Sequence, residues 1–256
     1  MNANYALVTG ASAGIGAEIA KELADFGYNL VLTARREDRL TELAKMLEKD
    51  YSVTAEVISA DLSDLSSCSK IFNFCKSKQL HVDFLVNNAG YGINKRFHET
   101  TVKEEVDFIN VLSTSVISLT KMFIPDMLKR GSGKIMIVSS IAAFMPPTGD
   151  TAILYGPVKT FMNRFVEAIN ARYRKSGISA TAICPGLTVT EFHEASGVQE
   201  FMDKIPSLLK MDPRVVAKGA VEATLNRKRI WVPGFINKVL SLIFKLIPNR
   251  VSIKGR

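Results

Sequence analysis

The sequence predicts a single doubly wound α/β domain, with a central parallel sheet of about seven strands and helices on both faces. Three observations predict it. Short apolar runs alternate with helical patterns along the 256 residues. The runs, such as NLVLT at 29–33 and KIMIV at 134–138, are continuously apolar, as strands covered on both faces must be. No linker, composition shift, repeat or low-complexity stretch divides residues 1–256, a length that suits one large α/β domain.

Tyr5 to Thr9 reads as a strand ending in a glycine-rich turn. Gly16 to Phe26 carries Ile19, Ala20, Leu23 and Ala24 at helical spacing, and Gly27 ends that helix. Strands are expected at 29–33, 53–58, 84–86, 134–138 and 179–183. Helices are expected at 39–49 and 67–78, and from Tyr155 to about Arg174. Val102 to Lys129 reads as one long helix, broken or kinked near Pro125.

Apolar residues make up 47% of the chain, which excludes a disordered protein. The formal charge of +8 favours acidic partners such as nucleotide phosphates, acyl thioesters or anionic lipid, although a solvated basic surface gives the same count. Nucleic acid is not an expected partner, because no zinc-finger spacing, RNP-like aromatic motif or basic zipper is present. Cys68, Cys75 and Cys184 are odd in number and widely spaced, which argues against a disulfide framework, and the three histidines show no metal-ligand spacing. A strand pattern begins by Tyr5 with no signal-peptide pattern before it, so the expected location is cytoplasmic.

The turn TGASAGIG at 9–16 joins the first strand to the first helix. Glycines there let the backbone approach a ligand, and a helix N-terminus presents free N–H groups to an anion such as pyrophosphate. The spacing is GxxxGxG rather than the common GxGxxG. Many dinucleotide sites carry an acidic residue after the second strand to bind the ribose 2′-OH. Arg35 and Arg36 stand there instead, and guanidinium groups pair with a 2′-phosphate, so NADP(H) is preferred over NAD(H). Tyr155 and Lys159 lie four apart at a helix start, on one face. A nearby ammonium favours phenolate, so the phenol is expected to be made more acidic and to serve as a general acid/base.

TGASAGIG, Asp61-Leu62, NNAG at 87–90, Asn110, Ser140, Tyr155-x-x-x-Lys159 and Pro185-Gly186 occur in this order. Over about residues 5–190 the chain therefore resembles the classical short-chain dehydrogenase/reductase family, whose domain is Rossmann-type. The resemblance implies that Tyr155 is the general acid/base and that Lys159 lowers its pKa and holds the nicotinamide ribose. It implies that Ser140 bonds the substrate oxygen, and that Asn110 kinks its helix and holds a water leading to Lys159. Gly10, Ser12, Gly14, Ile15 and Gly16 would surround the pyrophosphate and adenosine ribose. Asp61 and Leu62 would meet the adenine, and Asn88, Ala89 and Gly90 would line the cofactor. Pro185, Gly186, Thr188 and Thr190 would hold the nicotinamide. The activity implied is interconversion of a ketone with a secondary alcohol; a catalytically silent NADP(H)-binding sensor or scaffold of the same fold is the alternative. Such proteins often form dimers or tetramers, so a homo-oligomer is expected.

The pattern departs from the family in places. Ser139 and Ser140 are adjacent and either can be the catalytic serine; the small pair Ala142-Ala143 that follows selects Ser140. The gap from Ser140 to Tyr155 is about two residues longer than the family norm, placed in FMPPTGDTA at 144–152. Pro157 is tolerated only in a first turn, so the helix should start at about 152–154. Ala13 stands where many NADP-dependent members have a basic residue, leaving the 2′-phosphate to Arg35 and Arg36.

Residues 187–212 have the mixed composition of a lid, with Phe192, Phe201, Met202, Ile205, Leu208 and Leu209 apolar, which points to an apolar ketone or alcohol such as a 3-oxoacyl, steroid or other lipid-like carbonyl. Ordinary core packing would use the same residues. The tail FINKVLSLIFKLI at 235–247 is amphipathic, with Asn237, Ser241 and Lys245 as a narrow polar stripe and cations flanking it. It is too short to span a bilayer. Burial against protein is the favoured expectation, and peripheral membrane contact the rival.

Overall fold

The computed structural model describes residues 4–146, 153–191, 206 and 210–247. Seven parallel strands form one sheet in the order β3-β2-β1-β4-β5-β6-β7. They are β1 (Asn4–Thr9), β2 (Asn29–Ala34), β3 (Ala55–Ser59), β4 (His81–Asn87), β5 (Gly133–Val138), β6 (Ile178–Ile183) and β7 (Ile230–Trp231). Helices cross between them: α1 (Gly14–Asp25), α2 (Glu37–Tyr51), α3 (Ser66–Ser77), α4 (Val102–Ile109), α5 (Ser115–Arg130), α6 (Tyr155–Tyr173) and α7 (Pro213–Leu225), with α8 (Phe235–Leu246) following β7. The architecture is the doubly wound Rossmann-type sheet that the alternating pattern predicts.

Two apolar clusters cover the two faces of the sheet. One joins Leu7, Leu85 and Ile135 to Phe108 and Leu119 and to Met162 and Val166. The other joins Ala6, Val8, Leu32 and Phe84 to Ile19, Leu23 and Ala220. Alternate residues of one strand thus enter opposite clusters, which is why these strands read as unbroken apolar runs. The stretch 102–130 is apolar enough to cross a membrane by composition, but half of its most apolar 18-residue window is buried inside the fold, where α5 packs on the sheet.

Several boundaries differ from expectation. β4 extends beyond 84–86 on both sides because Asp83, a charge inside the run, is buried yet paired with Lys134 at 3.5 Å and Ser132 at 3.1 Å. The two-residue β7 is too short to leave a periodic signal. The irregularity between 102 and 130 does not lie at Pro125, which sits inside α5 on its exposed side, where water can serve the carbonyl it leaves unpaired. It is a π-turn, Asn110–Thr114, between α4 and α5, closed by Ser115 N–H on Asn110 O. Leu154 caps α6, so Pro157 falls in the first turn.

Candidate active site

The order reversal between β1 and β4 opens a cleft at the carboxyl ends of the strands, with a volume of about 980 Å³. Gly10 has φ +65° and Gly14 φ +58°. A Cβ on Gly10 would come within 2.9 Å of Ala89 Cα, and one on Gly14 within 3.1 Å of Thr190 Cβ, so only glycine lets the turn lie flat against both neighbours. The first turn of α1 carries no acidic side chain and its N-cap makes no side-chain bond, so its N–H groups face the cleft uncompensated. Thr9 pins the opposite wall: its buried hydroxyl accepts from Asn88 N–H at 2.9 Å and Ala89 N–H at 3.1 Å and donates to Val86 O at 3.2 Å. The Asn88 amide returns bonds to the carbonyls of Thr9 (2.9 Å) and Gly10 (3.2 Å).

At the β2 end, Arg36 donates to Ser12 Oγ at 3.1 and 3.3 Å and pairs with Glu191 at 2.9 Å. Arg39 pairs with the same carboxylate at 2.6 Å. Hydrogen bonds from Arg36 and then Arg39 hold the Glu191 carboxyl below its ordinary range.

At the other end, the two serines divide. Ser139 is buried and its Oγ donates to the Lys159 carbonyl at 3.0 Å, anchoring α6 to β5. The Ser140 hydroxyl is hydrogen-bonded to the Tyr155 phenol and also accepts from Ala142 N–H at 3.1 Å. The buried Lys159 ammonium lies 5.4 Å from the Tyr155 ring centre and donates to Val138 O at 2.9 Å. Burial pushes the Tyr155 phenol up, partly offset by the Ser140 bond, and pulls Lys159 down to about 8. The acidified phenol expected from the neighbouring ammonium is therefore not found. Desolvation dominates at the phenol, and the ammonium sits by the ring and donates its hydrogen bond to a backbone carbonyl.

The family model for short chain dehydrogenase matches residues 4–200. The chain belongs to the short-chain dehydrogenase family. A fatty acyl-CoA reductase of Acinetobacter baylyi is 29% identical over 98% of this chain and 87% of its own. The human very-long-chain 3-oxoacyl-CoA reductase is 26% identical over 98% of this chain and 77% of its own. A short-chain dehydrogenase from Sphingobium yanoikuyae, solved in complex with NADPH, superposes with a TM-score of 0.83 at 25% identity, covering 98% of both chains. The protein is thus an oxidoreductase of this family.

The cleft of this short-chain dehydrogenase brings together nearly all the residues singled out from sequence: Gly10, Ser12, Gly14, Ile15, Gly16, Arg35, Arg36, Asp61, Leu62, Asn88, Ala89, Gly90, Ser140, Tyr155, Lys159, Pro185, Gly186, Thr188 and Thr190. Asn110 is not on its wall; its amide donates to Ser63 O at 3.1 Å, behind the cleft floor. Phe192, His193, Phe201, Met202, Ile205, Leu208 and Leu209 of the lid, and the insertion from 147 to 152, lie outside the described residues. Roles for Thr9 behind the glycine turn, and for Arg39 and Glu191 beside Arg36, were not foreseen. Thr9 had a signal, since it ends the strand just before Gly10. Arg39 and Glu191 had none, because their pairing joins positions 152 residues apart.

Proposed function

We propose that this enzyme is an NADP(H)-dependent oxidoreductase that interconverts an apolar ketone and a secondary alcohol, with Tyr155 as the general acid/base. The observation that carries the reading is the hydrogen-bonded Ser140–Tyr155 pair, with Lys159 beside the phenol, on the wall of the cleft that holds the glycine turn and Arg36.

The residues present fit a dinucleotide: a cradle whose Gly10 and Gly14 leave no room for a Cβ, uncompensated N–H groups on α1, and guanidinium groups at the end of β2. Gly10, Ser12, Gly14, Ile15 and Gly16 would hold the pyrophosphate and ribose. Asp61 and Leu62 would take the adenine, and Asn88, Ala89 and Gly90 the middle of the cofactor. Pro185, Gly186, Thr188 and Thr190 would take the nicotinamide. Arg35 and Arg36 favour a 2′-phosphate. When bound, the cofactor supplies or accepts hydride. Ser140 orients the carbonyl oxygen, and Tyr155 donates a proton to it. Burial keeps the Tyr155 phenol in its protonated form, able to give that proton to a carbonyl oxygen in reduction and to recover it from the alcohol in oxidation. Asn110 positions the π-turn against Ser63, itself part of the cleft wall. Ile141, Met145 and Leu187 line the substrate end, and the acyl-CoA reductases among the relatives support a long acyl substrate. The free, buried thiols of Cys68, Cys75 and Cys184 agree with a cytoplasmic location.

The test is NADPH oxidation across a panel of 3-oxoacyl-CoA, steroid and bulky ketones. Tyr155→Phe should lower turnover by about 10²- to 10⁴-fold while NADPH binding stays within about twofold. Wild-type turnover by that variant refutes the assignment. NADPH binding by the wild type without oxidation on any ketone selects the silent sensor.

A further inference from the structure

The last helix is inside out. On α8 the polar stripe faces the domain: Ser241 is 4% exposed, Asn237 donates to Pro233 O at 3.0 Å and lies against Gly186, and Lys245 sits 4.8 Å over the Phe144 ring. The apolar side faces out. Phe235 (80% exposed), Val239, Leu242 (61%) and Leu246 (83%) follow at spacings of four, three and four residues, one continuous stripe, widened by Ile236 and Ile243. A water-facing stripe of this size needs a covering partner.

The charge distribution says which. Of 33 basic and 25 acidic side chains, eight basic and no acidic ones follow Glu222, leaving 25 of each up to and including it. The whole net charge of +8 belongs to the last 34 residues: Arg227, Lys228, Arg229, Lys238, Lys245, Arg250, Lys254 and Arg256. A second copy docking through α8 would press this cationic segment against itself. An anionic surface with an apolar interior would match both the charge and the stripe.

We propose that the exposed face of α8 docks on an anionic lipid bilayer, with Phe235, Val239, Leu242 and Leu246 entering the acyl boundary and Lys238 at the phosphate level. Docking there sets the substrate end of the cleft beside the lipid, because α8 packs on the turn Ile141–Phe144 and on Gly186. The inference rests on exposure and charge, and its readout does not depend on turnover.

The experiment is co-sedimentation of the full chain with phosphatidylcholine vesicles, with and without phosphatidylglycerol, alongside sedimentation velocity without lipid. The wild type should bind the anionic vesicles and release on added salt. Leu242→Glu with Leu246→Glu should weaken binding by about tenfold or more, and Lys238→Glu by about fivefold or more. Both variants should keep the wild-type melting temperature and NADPH affinity, since the altered side chains are exposed. Absence of binding to anionic vesicles, or equal binding by the variants, overturns the proposal. So does a lipid-indifferent dimer that the leucine variant splits, which would make a second copy the covering partner.

Discussion

Glu191→Gln should tighten NADPH binding. The Glu191 carboxylate bridges Arg36 and Arg39, at 2.9 and 2.6 Å, on the wall of the cleft where a 2′-phosphate would seek the same Arg36 guanidinium. The internal anion therefore competes with the incoming one. All three side chains are between 42% and 47% exposed, so each pair is screened and contributes about 0.2–1 kcal/mol. Removing the charge while keeping the size should release about 0.4–2 kcal/mol, or about a 2- to 30-fold lower Kd for NADPH. NADH, which lacks the 2′-phosphate, should change by less than about twofold. Fluorescence titration of both cofactors, at low and high salt, measures this, and the gain should shrink with salt. Mild acid should not reproduce it, because the two arginines hold the Glu191 carboxyl below its ordinary range. An NADPH affinity that is unchanged or weaker in Glu191→Gln refutes the competition and makes the carboxylate an organiser of Arg36 instead.

Thr9→Val should leave the N–H groups of Asn88 and Ala89 without their acceptor and cost about 1–3 kcal/mol for each, read by urea unfolding, whereas Thr9→Ser should restore most of it. Equal stability of the Val and Ser variants would show that the hydroxyl is dispensable. Lys159 is held down to about 8 by burial, against an ordinary 10.5, so between those values the folded state binds fewer protons than the unfolded one. Wild-type stability should therefore rise across that window relative to Lys159→Met, by on the order of 3 kcal/mol in urea unfolding. Parallel curves for the two proteins would contradict the buried ammonium.

Much of the fold was legible because its strands are covered on both sides, so runs such as NLVLT and KIMIV carry an undiluted signal. Where a strand holds a compensated charge, as at Asp83, the signal stops short of the true ends. That the Gly-rich turn, Ser140, Tyr155 and Lys159 would meet in one cleft was legible because close backbone approach demands glycine and the ordered set of motifs fixes the positions of the rest. The π-turn was not located by composition alone: the proline that catches the eye at 125 sits harmlessly on the exposed side of α5. The tail shows the sharpest limit. Periodicity revealed the stripe of Asn237, Ser241 and Lys245, yet periodicity distinguishes two faces without saying which one turns inward. Of the two forms of protein burial expected for its apolar face, packing on the domain is not what the structure has: Asn237 lies against Gly186 and Lys245 over Phe144, and the apolar side faces out. Likewise no local pattern couples Glu191 to Arg36 and Arg39.

The strand order carries a consequence for biosynthesis. Thr9 meets Asn88, 79 positions further along the chain, and β1 has β4 as a neighbour although β2 and β3 are made first. A nascent chain can pair its first three strands as they emerge, yet the hydroxyl of Thr9 gains its two donors only after the NNAG segment has cleared the ribosome. The glycine turn thus gains its facing wall when the fourth strand slots in beside the first, whereas the far end of the cleft waits for Pro185 to Glu191, translated about a hundred residues later.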